Sequence, residues 1–258
     1  MSRQAQPARR ARMTLAGLGL LAAALLAGGG YAAATLLGDG DGSDRPAGDA
    51  KPSVSAPPKA SPGKPPMTPA RAKKITLDSP KDHKDGVAVG FEHTPRGAIS
   101  AAVYWWEEYA WLDDRKARQQ LNAVVSPDAT GYVDEQVSEI RAFRERLGLP
   151  PSGGTSGILF STSVHAVRPS SMDVPGEELG DVVEIWMSYD RFATGPDGAP
   201  DKDPLRGETT NLFLRWQDGA WRLTNQPEYV KQESFPVAYD PDSPYAWNDG
   251  WVQVRHGD

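Results

Sequence analysis

The chain has 258 residues, a formal net charge of −6 and no cysteine, which excludes disulfides, a thiol nucleophile, thiolate metal sites and lipid attachment at a lipobox cysteine. Its charge is unevenly placed. All of the basic residues before residue 38 are Arg3, Arg9, Arg10 and Arg12, so residues 38–258 carry 24 Lys+Arg against 34 Asp+Glu, net −10. A surface that acidic repels phosphate backbones and argues against a nucleic-acid partner.

Residues 1–13 form a basic tail. Thr14–Leu37 then runs without a charge, and as a helix it spans about 36 Å, enough to cross a bilayer. The positive-inside rule keeps the N-terminus in the cytoplasm and exports everything after Leu37, so the membrane is contacted through this anchor. A cleaved signal peptide is the alternative: Leu15–Ala27 suits an h-region, and Ala32–Ala34 offers an A-x-A-like cleavage site that would release a secreted protein. Residues 38–74 are rich in Pro, Ala, Ser and Gly. Eight prolines between Gly38 and Pro69 predict an extended linker that buries too little apolar surface to fold. Its "DGDGSD" start lacks the sixth-position glycine and twelfth-position glutamate of a calcium loop, and reads as a solvated acidic stretch.

Residues 75–258 suffice for one domain. Thr94-Pro95 is a cap followed by a first-turn proline, predicting a helix from Pro95 to about Leu112 with Ile99, Ala102, Val103, Trp106, Tyr109 and Ala110 as its buried stripe. Asp113 or Asp114 caps a second helix through Val124. Ser126-Pro127 opens a third, with Val133, Val137, Ile140, Phe143 and Leu147 inward and a stop at Gly148. After "PPSGG" the period changes to two. Ile158, Phe160, Val164 and Ala166 alternate with polar residues, as do Val183, Ile185, Met187 and Tyr189. In "NLFLRWQDGAWRLT", Asp218-Gly219 is a type I′ hairpin dipeptide that sets Trp216 opposite Trp221, Leu214 opposite Leu223 and Arg215 opposite Arg222. The expected architecture is α+β: three N-terminal helices packed on one apolar face of a four-stranded antiparallel sheet.

The membrane segment, the proline-rich linker, "GFEHTPRGAISAA" opening a long helix and the late "LRWQDGAWRL" hairpin occur in that order. Together they resemble actinobacterial membrane-anchored proteins associated with conjugative elements. Their extracytoplasmic domain is similar to the cystatin-like cone of nuclear transport factor 2, shared with TcpC-type conjugation proteins and an assembly component of type IV secretion systems. The resemblance covers about Gly90–Thr224 plus the anchor. It implies association with transfer-channel components or with further copies of the chain, and it brings no catalytic motif.

The residues themselves point the same way. None of His83, His93, His165 and His256 has a metal-ligand partner at helical spacing; His83 and His256 read as solvated, and His93 as part of the entrance to the first helix. Glu107 and Glu108 point about 100° apart on a helix and cannot form a facing acid–base pair. Asp197, Asp201 and Asp203 sit in a loop whose spacing fits no calcium cage. No glycine-rich phosphate loop and no Gly-x-Ser-x-Gly elbow occurs, so no cofactor is expected. Enzymes related to ketosteroid isomerase place an acid and a base inside such a cone. Here only Thr162 and Tyr189 among the predicted inward strand positions carry a hydroxyl, and none carries a carboxylate or imidazole, which favours a filled core over an active site. The aromatic residues left over, Trp105 and Trp111 on the first helix and Tyr245, Trp247 and Trp251 near the C-terminus, are the candidate partner interface. The C-terminal group could equally fold back over its own domain.

Overall fold

The computed structural model describes residues 71–257. The basic tail, the charge-free segment 14–37 and residues 38–70 of the linker lie outside them, and among the described residues no helix is long and apolar enough to cross a membrane. The elements in chain order are β1 (Lys74–Thr76), β2 (Asp82–Lys84), β3 (Val87–Val89), α1 (Pro95–Glu108), α2 (Asp114–Val124), α3 (Tyr132–Arg146), β4 (Leu159–Ser171), β5 (Val182–Thr194), β6 (Leu205–Gln217), β7 (Ala220–Thr224), α4 (Pro227–Val230), α5 (Pro244–Asn248) and β8 (Val252–Arg255).

The helix signals work through their side chains. The Thr94 hydroxyl accepts from the Gly97 N–H at 2.9 Å, and the Asp113 carboxylate accepts from the Arg115 and Lys116 N–H groups, so two orphan helix ends are capped where the sequence places them. Helix α1 stops at Glu108 rather than at Leu112, because Tyr109 turns to an extended conformation. Ser126-Pro127 makes a turn instead of a cap, the Ser126 hydroxyl donating to Gln217 at 2.8 Å, and α3 begins later, after Gly131 at φ +84°.

The expected three helices on a four-stranded antiparallel sheet are not what forms. The sheet is mixed and six-stranded, in the order β1-β8-β4-β5-β6-β7, beside a separate β2–β3 hairpin, with five helices among the described residues. Strands β4 to β7 are antiparallel, and the hairpin register Trp216↔Trp221, Leu214↔Leu223, Arg215↔Arg222 is observed. What was not foreseen comes from short elements. The C-terminal residues return to insert β8 between β4, antiparallel, and β1, parallel. Three- and four-residue strands are too brief to show a period of two. The β2–β3 hairpin turns at Asp85-Gly86, both at positive φ, the same dipeptide that turns β6 into β7.

Helix α1 covers β4, β5 and β6, and the principal core lies between them, around Ile99, Val103, Trp106, Ile185, Met187 and Leu214. A bulge between Val164 and Ala166 changes the face of β4, so Val167 points into this core and Ala166 points away from it. The opposite face of the sheet is covered too. Residues 225–251 run across it as a strap: Tyr229 packs with Val182 and Phe213, and Trp247 and Trp251 pack with Ala166 and Ala72.

Candidate functional site

The strap is held by a buried carboxylate. Glu184 Oε1 accepts from Trp186 Nε1 at 2.8 Å and from Asn211 Nδ2 at 2.9 Å, and Oε2 accepts from the Ser234 N–H at 3.2 Å and from the Ser234 hydroxyl. Arg168 Nη1 donates to the same hydroxyl at 2.8 Å, and Asn211 also donates to Glu233 at 2.9 Å. Burial pushes the Glu233 carboxyl up, opposed by its bond from Asn211.

All four histidines lie against carboxylates: His83 on Glu108 (3.3 Å), His93 on Asp181 (2.8 Å), His165 on Asp190 (3.2 Å) and His256 on Glu107 (2.8 Å). Each pair joins segments distant in sequence. His83 and His256 are therefore not simply solvated, and Glu107 and Glu108 are not a free helix face. Glu107 accepts the Val164 N–H at 2.8 Å, filling the bulge, and burial holds its carboxyl above the usual range. Glu108 accepts the Ala88 N–H at 2.7 Å and ties β3 to α1. His93 stacks on Trp216 with ring centres 4.4 Å apart, so it staples the helix entrance to the hairpin. Asp197 and Asp201 accept backbone N–H groups of their own turn, and among the described residues no cluster of three or more metal-ligating side chains is found.

Two places could bind or act. The first is a groove of about 230 Å³ between the β2–β3 hairpin, the end of α2 and β7. Phe91, Trp105, Val124 and Trp221 give it a buried apolar lining; Lys84, exposed, and Arg222, half-buried, add two positive charges. Arg222 donates to the Ala123 carbonyl at 2.7 Å, which fixes it at the C-terminal end of α2. Lys84 has no ion pair among the described residues.

The second place lies between α1 and strands β4 and β5. Continuing the alternation of β5 two residues past Tyr189 brings Arg191 inward, and its Nε donates to Thr162 at 2.9 Å. Its guanidinium carbon sits 3.4 Å from the Trp111 ring centre, 4.9 Å from Tyr189 and 5.2 Å from Trp106, and desolvation lowers its pKa to about 10. The indole nitrogens of Trp106 and Trp111 and the hydroxyls of Tyr109 and Tyr189 are buried there without a hydrogen-bond partner among the described residues. Tyr109 packs edge-on to Trp111 at 4.9 Å and feels the charge of Glu139. Glu139, on α3, has its carboxyl raised to about 7 by burial and by the nearby charge of Glu135. Sequence alternation would have reached Arg191; Glu139 had no signal, because its helix was read only for its apolar stripe.

The candidate interface residues do not form one surface. Trp105 is buried and lines the groove, its Nε1 donating to the Ala88 carbonyl at 2.7 Å, whereas Trp111 is buried against Arg191 and Trp106. Trp247 and Trp251 are buried between the strap and the sheet, with their indoles bonded to Pro241 and Val237 carbonyls, so the tail folds back on its own domain. Tyr245 alone of the five is open, 48% exposed. Comparison with protein families, curated proteins and solved structures finds no match for the chain.

Proposed function

We propose that this chain is a membrane-tethered, extracytoplasmic interaction domain that holds a protein partner in the groove between the β2–β3 hairpin and β7, in a conjugative transfer apparatus. The place in that apparatus rests on the sequence resemblance alone. The carrying observation is the groove: an apolar floor with two cations, about 230 Å³ in volume. Ligand pockets of enzymes usually hold about 300–1,000 Å³, and this one suits an apolar side chain or two of a partner better than a whole substrate. Aromatic residues in such a floor are the usual anchors of interfaces.

A transfer assay with the chromosomal gene replaced tests this reading. Ala220→Trp, which fills the groove, and Lys84→Glu, which reverses its exposed charge, lower transfer about tenfold or more, each tenfold being about 1.4 kcal/mol of lost affinity. Both variants keep the wild-type circular dichroism.

A small-molecule binder or enzyme acting at the buried aromatic cluster around Arg191 is the second reading. It is favoured by Glu139, a carboxyl that titrates near neutrality beside Tyr109 and Tyr132. Should Glu139→Gln abolish transfer in a folded protein while the groove variants transfer normally, this reading replaces the first.

A further inference from the structure

Phe235 is the most exposed large apolar side chain among the described residues, at 83%. Its backbone is nonetheless fixed on both sides. Ser234 is bound to Glu184 through its N–H and its hydroxyl, and Pro236 restricts the chain that follows. The Val237 N–H donates to Asp249 at 3.0 Å, and its carbonyl accepts from Trp251 at 2.8 Å. A benzyl group is thus held out in water on a rigid stem, where one copy of the chain gains no burial from it. Val237 beside it is 48% exposed, and the exposed Asp240 and Asp242 follow.

The groove is complementary in both respects, apolar within and positive through Lys84 and Arg222. The two features lie on opposite sides of the molecule. Phe235 projects from the strap, which covers the sheet face away from the helices, whereas the groove opens between β7 and the helix-side hairpin. A copy cannot fill its own groove.

We propose that Phe235 of one copy inserts into the groove of a second copy, with Asp240 and Asp242 set towards Lys84 and Arg222. This names the occupant of the groove and rests on its being the interaction site. Because knob and groove lie on opposite sides, two copies cannot engage both at once, so the contact is head-to-tail; each joined pair keeps one free knob and one free groove and extends to rings or rows. One aromatic anchor is a small contact in solution. Copies confined to one membrane meet at a raised effective concentration, which makes it sufficient there.

The absence of cysteine makes the test direct. Two full-length copies with different tags are co-expressed in the membrane, one carrying Ala220→Cys in the groove and the other Ala238→Cys, and treated with a short bis-maleimide. The expected result is a mixed-tag product that falls about tenfold or more when Phe235→Asp is added to the second copy, the loss corresponding to one buried aromatic side chain. Phe235 is exposed, so that variant keeps its melting temperature. The proposal is overturned by any of three results: no mixed product, a mixed product indifferent to Phe235→Asp, or linkage only between two copies that both carry Ala238→Cys. If linkage fails while Ala220→Trp and Lys84→Glu still lower transfer, the groove serves a different protein and only the self-contact is wrong.

Discussion

Replacing Glu184 by alanine should loosen the strap before it unfolds the domain. The carboxylate is fully buried and accepts from Trp186, Asn211 and both donors of Ser234. Hydrogen bonds to a charged group contribute about 1.5–3 kcal/mol each. Not all are forfeited: Asn211 keeps Glu233, and Trp186 is half-exposed and can turn to water. The two donors of Ser234 are the real loss. Against them stands the desolvation of a buried carboxylate that no cation touches at ion-pair distance among the described residues, a cost that disappears with the side chain. The net effect is a destabilisation of about 2–4 kcal/mol, less than the 5–15 kcal/mol typical of a whole domain. If it falls on the strap, local opening rises about thirtyfold to a thousandfold. Lys231, exposed in the strap, offers trypsin a site that reports this opening, and urea unfolding followed by tryptophan fluorescence reports the total. Glu184→Gln should fall between, since its amide group cannot accept from Ser234 as a carboxylate does. Cleavage after Lys231 at the wild-type rate, with unfolding free energy within about 0.5 kcal/mol of wild type, would refute the reasoning.

Gly97→Ala should reverse the usual rule that alanine stabilises a helix by about 0.5–1 kcal/mol over glycine. A Cβ there would lie 2.1 Å from the Glu92 carbonyl oxygen, which already accepts from Thr94 and from Trp221 Nε1, so a loss of about 2 kcal/mol or more is expected in thermal unfolding. Glu139 predicts a pH dependence. Its carboxyl is raised from 4.5 to about 7, so between those values the folded protein keeps a proton that the unfolded chain has released, and stability falls as pH rises through the window. Glu139→Gln removes that slope, and its melting temperature should gain on the wild type steadily from pH 4.5 to 7; parallel curves would show that the group titrates normally.

The sequence was legible where local chemistry decides the outcome. Thr94 and Asp113 cap their helices, and Asp218-Gly219 sets a register that brings Trp216 opposite Trp221. It was not legible where a distant segment decides. Ala166 continues the inward alternation of β4 in sequence, yet the bulge held by the Glu107 carboxylate turns it to the other face, under Trp247 and Trp251. Asp85-Gly86 carried the same hairpin signal as Asp218-Gly219, but between strands of three residues it had no alternation to support it. The groove is built from the β2–β3 hairpin, α2 and β7, so only Trp105 among the expected interface residues falls in it.

The second face of the sheet shows why the aromatic residues misled. Glu184, Trp186, Ser188 and Asn211 are largely polar and alternate with the core positions of β5 and β6, the pattern of a sheet face turned to water. They are covered instead, and the cover supplies polar partners to two of them, with Ser234 and Glu233 bonded to Glu184 and Asn211. A polar face covered by a polar strap has the same composition as a polar face in solvent, so no periodicity separates the two. The consequence reaches the interface. Once Trp247 and Trp251 are used in the cover, the strap's most exposed apolar side chain is Phe235, set between Ser234 and Pro236 where no helix or strand gives it a face. The bond from the buried Trp251 indole to the Val237 carbonyl also fixes the chain two residues after Phe235, so the strap's fold and its contact surface share a cause.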